Sequence, residues 1–509
     1  MRYYLFLIIF ICFNCFNGFS QSDTPKNIII FIADGGGYNQ MMCTDYFLYG
    51  KHPASTLSSF PVQLSMSTYN ASTSRKGTSF YDSKKFWSDF SYGISAFTES
   101  AASATAIGTG YKAHNDVIGL NTDGLPVTNI MEIGKSIGKK TGVITSVPFA
   151  HATPAGVSAH TKSRKEMHSI GYQMVANNTL DVIGGAGHPW FDDNGNRLAN
   201  PSTEMMDTAL YSFLKNNDNW ILLENRAAIK DFKAKDANNK KLFMLAPVFS
   251  TFSEKRDGKS VQPFDVPINK NIPMLSEMSI AALSKLSESE EGFILLIEGG
   301  AVDWANHDNN FPRLIEEQTF FYHTVDTVLN WLEKQNILEK TLIIATNDHE
   351  CGYLWGENSS GNNFSLPKNN GKGKLPDAKY YSDNHSNSLV PFFAKGPSSE
   401  IFYSFADEVD SVRGAFLTNS EIAIAIKMLW GNATTIFKEK ESNESVVLRA
   451  SFPCPDGKIK WYVNNSLQKE NETSTFLIDK NIYKKSALIR CEILCGEKQY
   501  ISPNYEYIP

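Results

Sequence analysis

Three apolar runs, each followed at once by an acidic residue, constrain the fold of this chain more than any other feature. They are residues 27–33 (NIIIFIA) before Asp34, 293–297 (FILLI) before Glu298, and 341–347 (TLIIATN) before Asp348. Runs of this length and composition predict strands buried on both faces, as in a parallel sheet covered by helices. The carboxyl ends of such strands share one edge, where ligands bind. The sequence therefore predicts an α/β fold with carboxylates gathered at that edge.

Histidines accompany these carboxylates at spacings that suit metal binding. Asp303 and His307 follow the second run at i and i+4, so a helix there would present both on one face. His349 directly follows Asp348. Buried carboxylates without partners are costly, which makes cations their natural partners, and a carboxylate beside an imidazole is a usual half-site for zinc. For residues 303–307 alone, a capped helix with a solvated face is the alternative interpretation.

Two further stretches carry candidate residues. Residues 98–110 (TESAASATAIGTG) predict a tightly packed helix with Ser100 in its first turn, where free N–H groups favour an anion. A simple helix cap is the alternative. Residues 141–164 predict a strand, a polar turn with His151 and Thr153, and a helix carrying Arg164. That arginine can bind a phosphate through two parallel hydrogen bonds, or it can be an ordinary surface charge.

Together these motifs resemble the alkaline phosphatase family, over roughly residues 25–430 and in the family's order. The resemblance rests on the serine motif around Ser100, the ATPA turn at 152–155, the EGG-x-x-D-x-x-x-H run at 298–307 and the DH pair at 348–349. It implies a central, mostly parallel sheet flanked by helices and a phosphomonoesterase acting through a phosphoserine. It further implies two Zn²⁺ and one Mg²⁺ per chain, and small phosphate monoesters as substrates. It leaves a homodimer open, because the rim segment 358–374 is short.

The resemblance also assigns a role to each matching residue. Ser100 would be the nucleophile and Arg164 the phosphate clamp. The metal ligands would be Asp303, His307 and His385 for the first zinc, Asp348, His349 and Ser100 for the second, Asp34 between the second zinc and magnesium, and Thr153 and Glu298 for magnesium. His385 is assigned because it lies in a polar loop that leads into an apolar strand, as in the family.

Three positions depart from the family pattern without removing a direct ligand. Glu99 replaces the aspartate usual before the nucleophile, His151 stands where some members have aspartate, and Trp304 stands where lysine or histidine is frequent. Changes in the groups that surround metal ligands alter metal affinity. We therefore expect these three residues to affect magnesium binding and phosphate release.

Two other functions are compatible with parts of the sequence. A phosphodiesterase or sulfatase of the same superfamily is one, although such relatives usually place threonine or a modified cysteine at the nucleophile and lack the pair Thr153 and Glu298. A non-enzymatic zinc-binding surface protein, acting through its C-terminal part, is the other. The formal charge of -6 and the lack of a basic block argue against nucleic acid as a partner.

The N-terminus predicts export to the periplasm or the extracellular space. Residues 1–20 contain Arg2, an apolar run too short to span a bilayer, and small residues at Gly18 and Ser20, which is typical of a signal peptide. A lipoprotein would use Cys15, but the residues before it lack the expected small side chains. No later segment has the length of a transmembrane helix.

The length of 509 residues predicts more than one core. We expect a signal peptide at 1–20, a phosphatase domain at 21–435, a charged linker at 438–442 and an immunoglobulin-like β-sandwich at 443–509, whose ligand the sequence does not identify. Alternating short strands and the order Cys454, Trp461, Cys491 favour that sandwich, while a β-rich extension of another topology is the alternative.

We expect a Cys454–Cys491 disulfide, with Cys495 as the competing partner. Cys43 and Cys351 receive no chemistry, and residues 165–290 no candidate ligand.

Overall fold

The structure is a computed structural model that describes residues 24–71, 81–237, 239–431, 435–442, 444–451, 458–471, 475–485, 487–495, 498–501 and 505–507. The predicted signal peptide lies outside these residues. Within the described ranges, no helix has both the length and the apolar character needed to cross a membrane.

The strands, in chain order, are β1 Asn27–Ala33, β2 Val62–Ser67, β3 Lys140–Pro148, β4 Val182–Ala186, β5 Trp220–Leu223, β6 Lys241–Leu245, β7 Phe293–Gly299, β8 Thr341–Thr346, β9 Glu350–Cys351, β10 Leu354–Trp355, β11 Lys379–Tyr380, β12 His385–Ser386, β13 Val390–Lys395, β14 Glu408–Asp410, β15 Gly414–Thr418, β16 Thr435–Glu441, β17 Ser445–Ser451, β18 Lys458–Val463, β19 Ser466–Asn471, β20 Thr475–Asp479, β21 Ala487–Cys495, β22 Lys498–Ile501 and β23 Tyr505–Tyr507.

The α-helices are α1 Tyr38–Tyr49, α2 Ser83–Ser88, α3 Ser100–Thr109, α4 Ile130–Ser136, α5 Ala152–Gly156, α6 Met167–Ala176, α7 Thr208–Asn216, α8 Arg226–Asp231, α9 Leu275–Leu286, α10 Ala301–His307, α11 Phe311–Lys334 and α12 Ser420–Leu429.

An 11-stranded sheet dominates the fold, with the order β14-β15-β2-β13-β8-β1-β7-β3-β4-β6-β5. The run from β8 to β5 is parallel throughout, and antiparallel pairs occur only where β13 and β14 join the sheet. The three apolar runs are β1, β7 and β8, which are adjacent. The predicted α/β fold with a mostly parallel sheet is therefore confirmed.

Helices cover both faces of this sheet, which explains why β1 is apolar from Ile28 to Ala33. Ile28, Ile30 and Ile32 join one buried cluster with residues of α3, α4, α6 and α12. Ile29 and Phe31 join a second cluster with residues of α1, α9 and α11. Side chains of a strand alternate between faces, so a strand between two layers needs apolar residues throughout.

The helix predicted around Ser100 is α3, and its small residues allow close packing against α5. A Cβ placed on Gly156 of α5 would lie 2.6 Å from the Cβ of Ala104 in α3. Contact this close requires glycine or alanine on both helices. The density of alanine and serine in this stretch therefore reflects packing that holds the start of α3 against the end of β3.

The predicted helix carrying Arg164 is wrong. After β3 the chain forms only the short helix α5, which ends at Gly156, and Arg164 lies in a turn before α6. The backbone there pairs with an earlier segment: Thr161 bridges Ile118, and the Arg164 N–H donates to the Asp116 carbonyl at 2.7 Å. These bonds replace those of a helix. The strand predicted within residues 180–187 is confirmed as β4.

The C-terminal strands form two small sheets, β16-β17-β20 and β19-β18-β21-β22, with β23 paired to β21. Side chains from both sheets share one buried apolar cluster. The linker expected at 438–442 is wrong up to Glu441, because this segment belongs to β16 and pairs with β17. Lysines are common on edge strands, where they discourage further pairing. The immunoglobulin-like sandwich stays a prediction, as does the disulfide, since Cys454 lies outside the described residues.

Candidate active site

Four adjacent parallel strands, β8, β1, β7 and β3, deliver the candidate residues to one edge of the sheet. Asp34 directly follows β1, Glu298 lies at the end of β7, and Asp348 follows β8 by two residues. His151 and Thr153 come from the turn after β3 and the start of α5. These residues are more than 300 positions apart in the sequence, and they lie together because their strands are neighbours in the sheet.

Gly35 contacts three of the segments that form this site. Its φ is +68°, and a Cβ there would lie 2.5 Å from Asp303 Oδ1, so no other residue fits without a shift. Its N–H donates to Asp348 Oδ1 at 3.1 Å. Its carbonyl accepts from Asn306 Nδ2 and from the Cys351 N–H, each at 3.0 Å. This one residue therefore ties β1, α10 and β9 together.

Ser100 is the first residue of α3 and is only 1% exposed. Its Oγ lies 3.2 Å from His349 Nε2. The same nitrogen is 3.2 Å from Asp348 Oδ2 and 3.6 Å from Asp34 Oδ1. The serine hydroxyl thus belongs to a compact group of oxygen and nitrogen atoms that contains two carboxylates.

His307 and His385 direct lone pairs towards each other. His307 Nδ1 donates to the Asp383 carbonyl at 2.6 Å, and His385 Nδ1 donates to the Thr98 carbonyl at 2.9 Å. Since a carbonyl can only accept, each ring carries a proton on Nδ1, and in its neutral form it presents the Nε2 lone pair. The two Nε2 atoms are 3.0 Å apart, and each lies 3.4 Å from an oxygen of Asp303.

A second, oxygen-rich group lies on the other side of Asp34. Ligand atoms of Asp34, Glu298 and His151 lie within 4.8 Å of one another. Neither carboxylate oxygen of Asp34 or Glu298 has a hydrogen-bond partner among the described residues, and the Thr153 hydroxyl has none either. Buried polar atoms are almost always paired, so this many unpaired acceptors in one place indicate a ligand site.

Burial makes it hard for these carboxylates to be ionised together. Burial raises the pKa of Asp34 well above its ordinary value, and Asp348 beside it raises it further. Burial also raises the pKa of Glu298 to about 7 and that of Asp348 to about 6. Burial also acts to raise the pKa of Asp303. The hydrogen bond and charge of His385 outweigh that effect, so the pKa of Asp303 is lowered. A cation among these groups would remove the repulsion.

The donor set therefore fits metal ions, and it fits two kinds. The group at Asp303, His307 and His385 combines nitrogen with oxygen, which suits zinc. The group at Asp34, Glu298 and Thr153 is dominated by oxygen, which suits magnesium.

Arg164 is held beside Ser100 by Glu99 and His151. Its Nη1 lies 2.5 Å from Glu99 Oε2, and its Nη2 donates to His151 Nε2 at 3.0 Å. Burial and then Arg164 lower the pKa of His151 to about 3, which keeps this ring neutral. Glu99 also accepts from the N–H groups of Ala101 and Ala102. Two of the helix N–H groups that the sequence offered to an anion are thus occupied by Glu99, and Arg164 adds its own donors to the same place.

A cavity of about 260 Å³ opens onto Ser100 and Arg164. Trp304 lines it and packs 5.9 Å from the ring of His151, where the sequence analysis placed both residues beside the metal ligands. Lys255 and Asp308 line it as well, joined by a 2.5 Å ion pair, and the sequence analysis missed both. Asp308 directly follows the Asp303–His307 motif and could have been found there. Lys255 comes from a segment without any recognisable pattern.

The fold and the site together define an α/β protein that gathers carboxylates, imidazoles and a buried serine where a parallel sheet ends. The sequence profile of the family described as alkaline phosphatase matches residues 25–375. The chain therefore belongs to the alkaline phosphatase family. His385 and the C-terminal strands lie beyond the matched residues.

Comparisons with known proteins agree with this family. The chain is 32% identical over 276 residues to alkaline phosphatase 3 of Bacillus subtilis (strain 168), covering 53% of each protein. It is 24% identical over 378 residues to the human tissue-nonspecific isozyme of alkaline phosphatase, covering 66% of this chain and 65% of that protein. The chain spans about half the length of the Bacillus relatives that it matches.

Solved structures support the fold. Alkaline phosphatase from the Antarctic bacterium TAB5 is similar with 25% identity and a TM-score of 0.57, covering 80% of this chain and 98% of that one. A variant of the TAB5 enzyme, with a TM-score of 0.56 and the same identity and coverage, has magnesium bound in the site called M3.

Proposed function

We propose that this chain is an exported, metal-dependent phosphatase that converts phosphate monoesters to an alcohol and inorganic phosphate through a phosphoserine at Ser100. One observation carries the proposal: a buried serine hydroxyl lies 3.2 Å from His349, among carboxylates with unpaired oxygens and beside an arginine. Serine is a poor nucleophile in water, and such surroundings are what activate it.

Two Zn²⁺ and one Mg²⁺ would be held by the residues described above. Asp303, His307 and His385 would bind the first zinc, and Asp348, His349 and Ser100 the second. Asp34 would be shared between the second zinc and magnesium, which Thr153 and Glu298 also hold. When bound, such metals supply Lewis-acid stabilisation of the attacking and leaving oxygens. The unpaired acceptors in both groups support this assignment.

The protein's own residues supply binding and orientation. Arg164 can donate two N–H groups to the phosphate oxygens, and Glu99 fixes its position by their ion pair. Ser100 Oγ forms a bond to phosphorus as the bond from phosphorus to the ester oxygen breaks, and the alcohol leaves with a proton. Water then displaces Ser100 from the phosphorus and releases inorganic phosphate.

The departures from the family pattern bear on magnesium and on phosphate release. His151 presents a neutral ring to Arg164, where a carboxylate would add a further oxygen ligand near Asp34 and Glu298. Trp304 contributes an indole to the cavity wall and no charge. We therefore expect weaker magnesium binding than a carboxylate at position 151 would give.

Paired substrates test the proposed activity. Purified protein is assayed with p-nitrophenyl phosphate, bis(p-nitrophenyl) phosphate and p-nitrophenyl sulfate, each with and without a chelator. We expect the monoester to be hydrolysed fastest, and restoration of that activity by Zn²⁺ and Mg²⁺ after chelation. Preference for the diester or the sulfate would instead identify a phosphodiesterase or sulfatase. Hydrolysis of none of the three would favour a metal-binding surface protein.

A further inference from the structure

Cys351 lies beside the first zinc ligands although the family resemblance gives it no role. Its Sγ and one ligand atom each from Asp303, His307 and His385 lie within 4.8 Å of one another. The cysteine side chain is fully buried. This corner of the site therefore contains four potential ligands of three chemical kinds: carboxylate oxygen, imidazole nitrogen and sulfur.

The backbone explains why the sulfur is directed into the cluster. Strands β9 and β12 pair antiparallel, with Cys351 directly opposite His385. Residues that lie opposite each other in such a pair project to the same face. The Cys351 N–H is also bonded to the Gly35 carbonyl at 3.0 Å, which fixes the strand against the loop after β1. Two interactions therefore fix the position of the thiol: the pairing of Cys351 with His385 and the hydrogen bond to Gly35.

The neighbouring acceptors indicate independently that a cation binds here. The Nε2 atoms of His307 and His385 face each other at 3.0 Å, and in the neutral rings both are acceptors because each Nδ1 donates to a carbonyl. Asp303 is 5% exposed, and its Oδ1 has no hydrogen-bond partner in the described part of the chain. Acceptor atoms that converge on one place, with a buried carboxylate oxygen among them, favour a positive charge between them.

We propose that Cys351 is a sulfur ligand of the metal ion held by Asp303, His307 and His385. The inference rests on the proposed metal-dependent function. Metal binding would release the thiol proton, since the thiolate is the form that coordinates. Sulfur favours zinc and cobalt over magnesium and manganese, so Cys351 makes this position selective for a thiophilic ion.

A sulfur ligand here would leave room for substrate. Asp303, His307 and His385 line the cavity, whereas Cys351 is not among the described residues that do so. The sulfur therefore approaches from the protein interior. Catalytic zinc keeps a position open towards substrate and can expand to five ligands.

Cobalt spectroscopy tests the proposal on the full-length protein after chelation. Titration of the wild type with Co²⁺ should produce a thiolate-to-cobalt charge-transfer band in the near ultraviolet. Cys351→Ser should lose that band but keep the visible bands of bound cobalt, and its zinc affinity should fall at least about tenfold. Cys43→Ser is the matched control: Cys43 is equally buried but belongs to none of the metal-ligand groups, so the band should persist.

X-ray absorption of the zinc-loaded wild type does not depend on how the variants fold. It should show a zinc–sulfur distance of about 2.3 Å, which Cys351→Ser removes. Absence of both the charge-transfer band and the zinc–sulfur distance in the wild type overturns the proposal. In that case, chelator-sensitive hydrolysis of p-nitrophenyl phosphate would show that the proposed function still stands. Sulfur ligation without any such hydrolysis would support Cys351 as a ligand and count against the phosphatase activity.

Discussion

The carboxyl edge of the main sheet and the C-terminal strands bury opposite kinds of side chain. At the sheet edge, Asp34, Glu298 and Asp348 are fully buried, and each has at least one oxygen without a partner among the described residues. In the C-terminal strands the buried cluster consists of side chains such as Ile459 and Trp461. Unpaired buried charges cost stability, whereas buried apolar area supplies it.

The contrast shows which region serves chemistry and which serves folding. Changes at the sheet edge should alter activity and metal content while the two large cores on either side of the sheet maintain the fold. Changes in the C-terminal cluster should alter the stability of those strands and leave turnover alone.

Ser100→Ala should lower the hydrolysis of p-nitrophenyl phosphate by at least about a thousandfold, because the hydroxyl that would attack phosphorus is gone. Circular dichroism and metal content should change little. Ser279→Ala is the matched control, since the hydroxyl of this buried helical serine donates within α9, to the Leu275 carbonyl. Full activity in the Ser100 variant would show that the nucleophile is Ser103 or water instead.

His385→Ala should lose one zinc per chain, because it removes one of the two Nε2 atoms that face each other at 3.0 Å. Elemental analysis after dialysis gives the count, and magnesium should be unaffected. Glu298→Gln should show the reverse, with magnesium lost and zinc kept, since it changes the oxygen-rich group alone.

His188→Ala controls for the loss of a buried histidine, because His188 pairs with Glu224 outside these groups. Both metals should remain in that variant. Unchanged zinc in the His385 variant would remove this residue from the ligands.

The sequence predicted the main sheet and its edge carboxylates for a physical reason, whereas the roles of the other site residues followed from the family resemblance. Buried strands that end in Asp34, Glu298 and Asp348 leave few arrangements other than adjacent parallel strands with the carboxylates at one edge. Cys351 and Lys255 could not be interpreted in this way. A lone cysteine reads as a small buried hydrophobe, and only the pairing of β9 with β12 reveals its neighbours.

The C-terminal part shows the limit of the same reasoning. Alternating residues predicted strands correctly, but alternation does not determine which strands pair. The charged stretch up to Glu441 looked like a linker because charged residues are also common on edge strands. Arg164 was misplaced for a related reason, as its turn is fixed by bonds to residues 116–118, far away in sequence.

The metal-free protein should become less stable as the pH rises above 6.5. In the folded state the pKa of Glu298 is raised to about 7, and those of Asp34 and His385 are raised as well. These groups hold protons in the folded state that the unfolded state has already released, so their stabilisation is lost as the pH passes the folded pKa. The pKa of His349 is lowered, so this ring is neutral in both states above 6.5.

Differential scanning fluorimetry of chelated protein should show the midpoint falling by several degrees over this range. Added Zn²⁺ and Mg²⁺ should abolish or reverse the trend, because deprotonated ligands bind metal more tightly. Glu298→Gln is the control, since its neutral amide cannot titrate and should reduce the slope up to about pH 7. A chelated wild type whose midpoint rises with pH would contradict the raised pKa values.

Trp461→Ala should have the smallest effect on catalysis and the largest on the C-terminal strands. Trp461 is fully buried, stacks on Phe476 at 5.3 Å between ring centroids and lies opposite Cys491 in the pairing of β18 with β21. Truncating a buried tryptophan costs about 3–5 kcal/mol. That loss of stability is large for a group of strands of this size, so limited proteolysis should cleave the C-terminal strands far faster than in the wild type.

Trp461→Phe should destabilise the C-terminal strands less, because the indole Nε1 has no hydrogen-bond partner among the described residues to lose. Turnover of p-nitrophenyl phosphate should stay within about twofold in both variants, since every proposed ligand precedes residue 386. A parallel loss of turnover and protease resistance would show that the C-terminal strands support the active site after all.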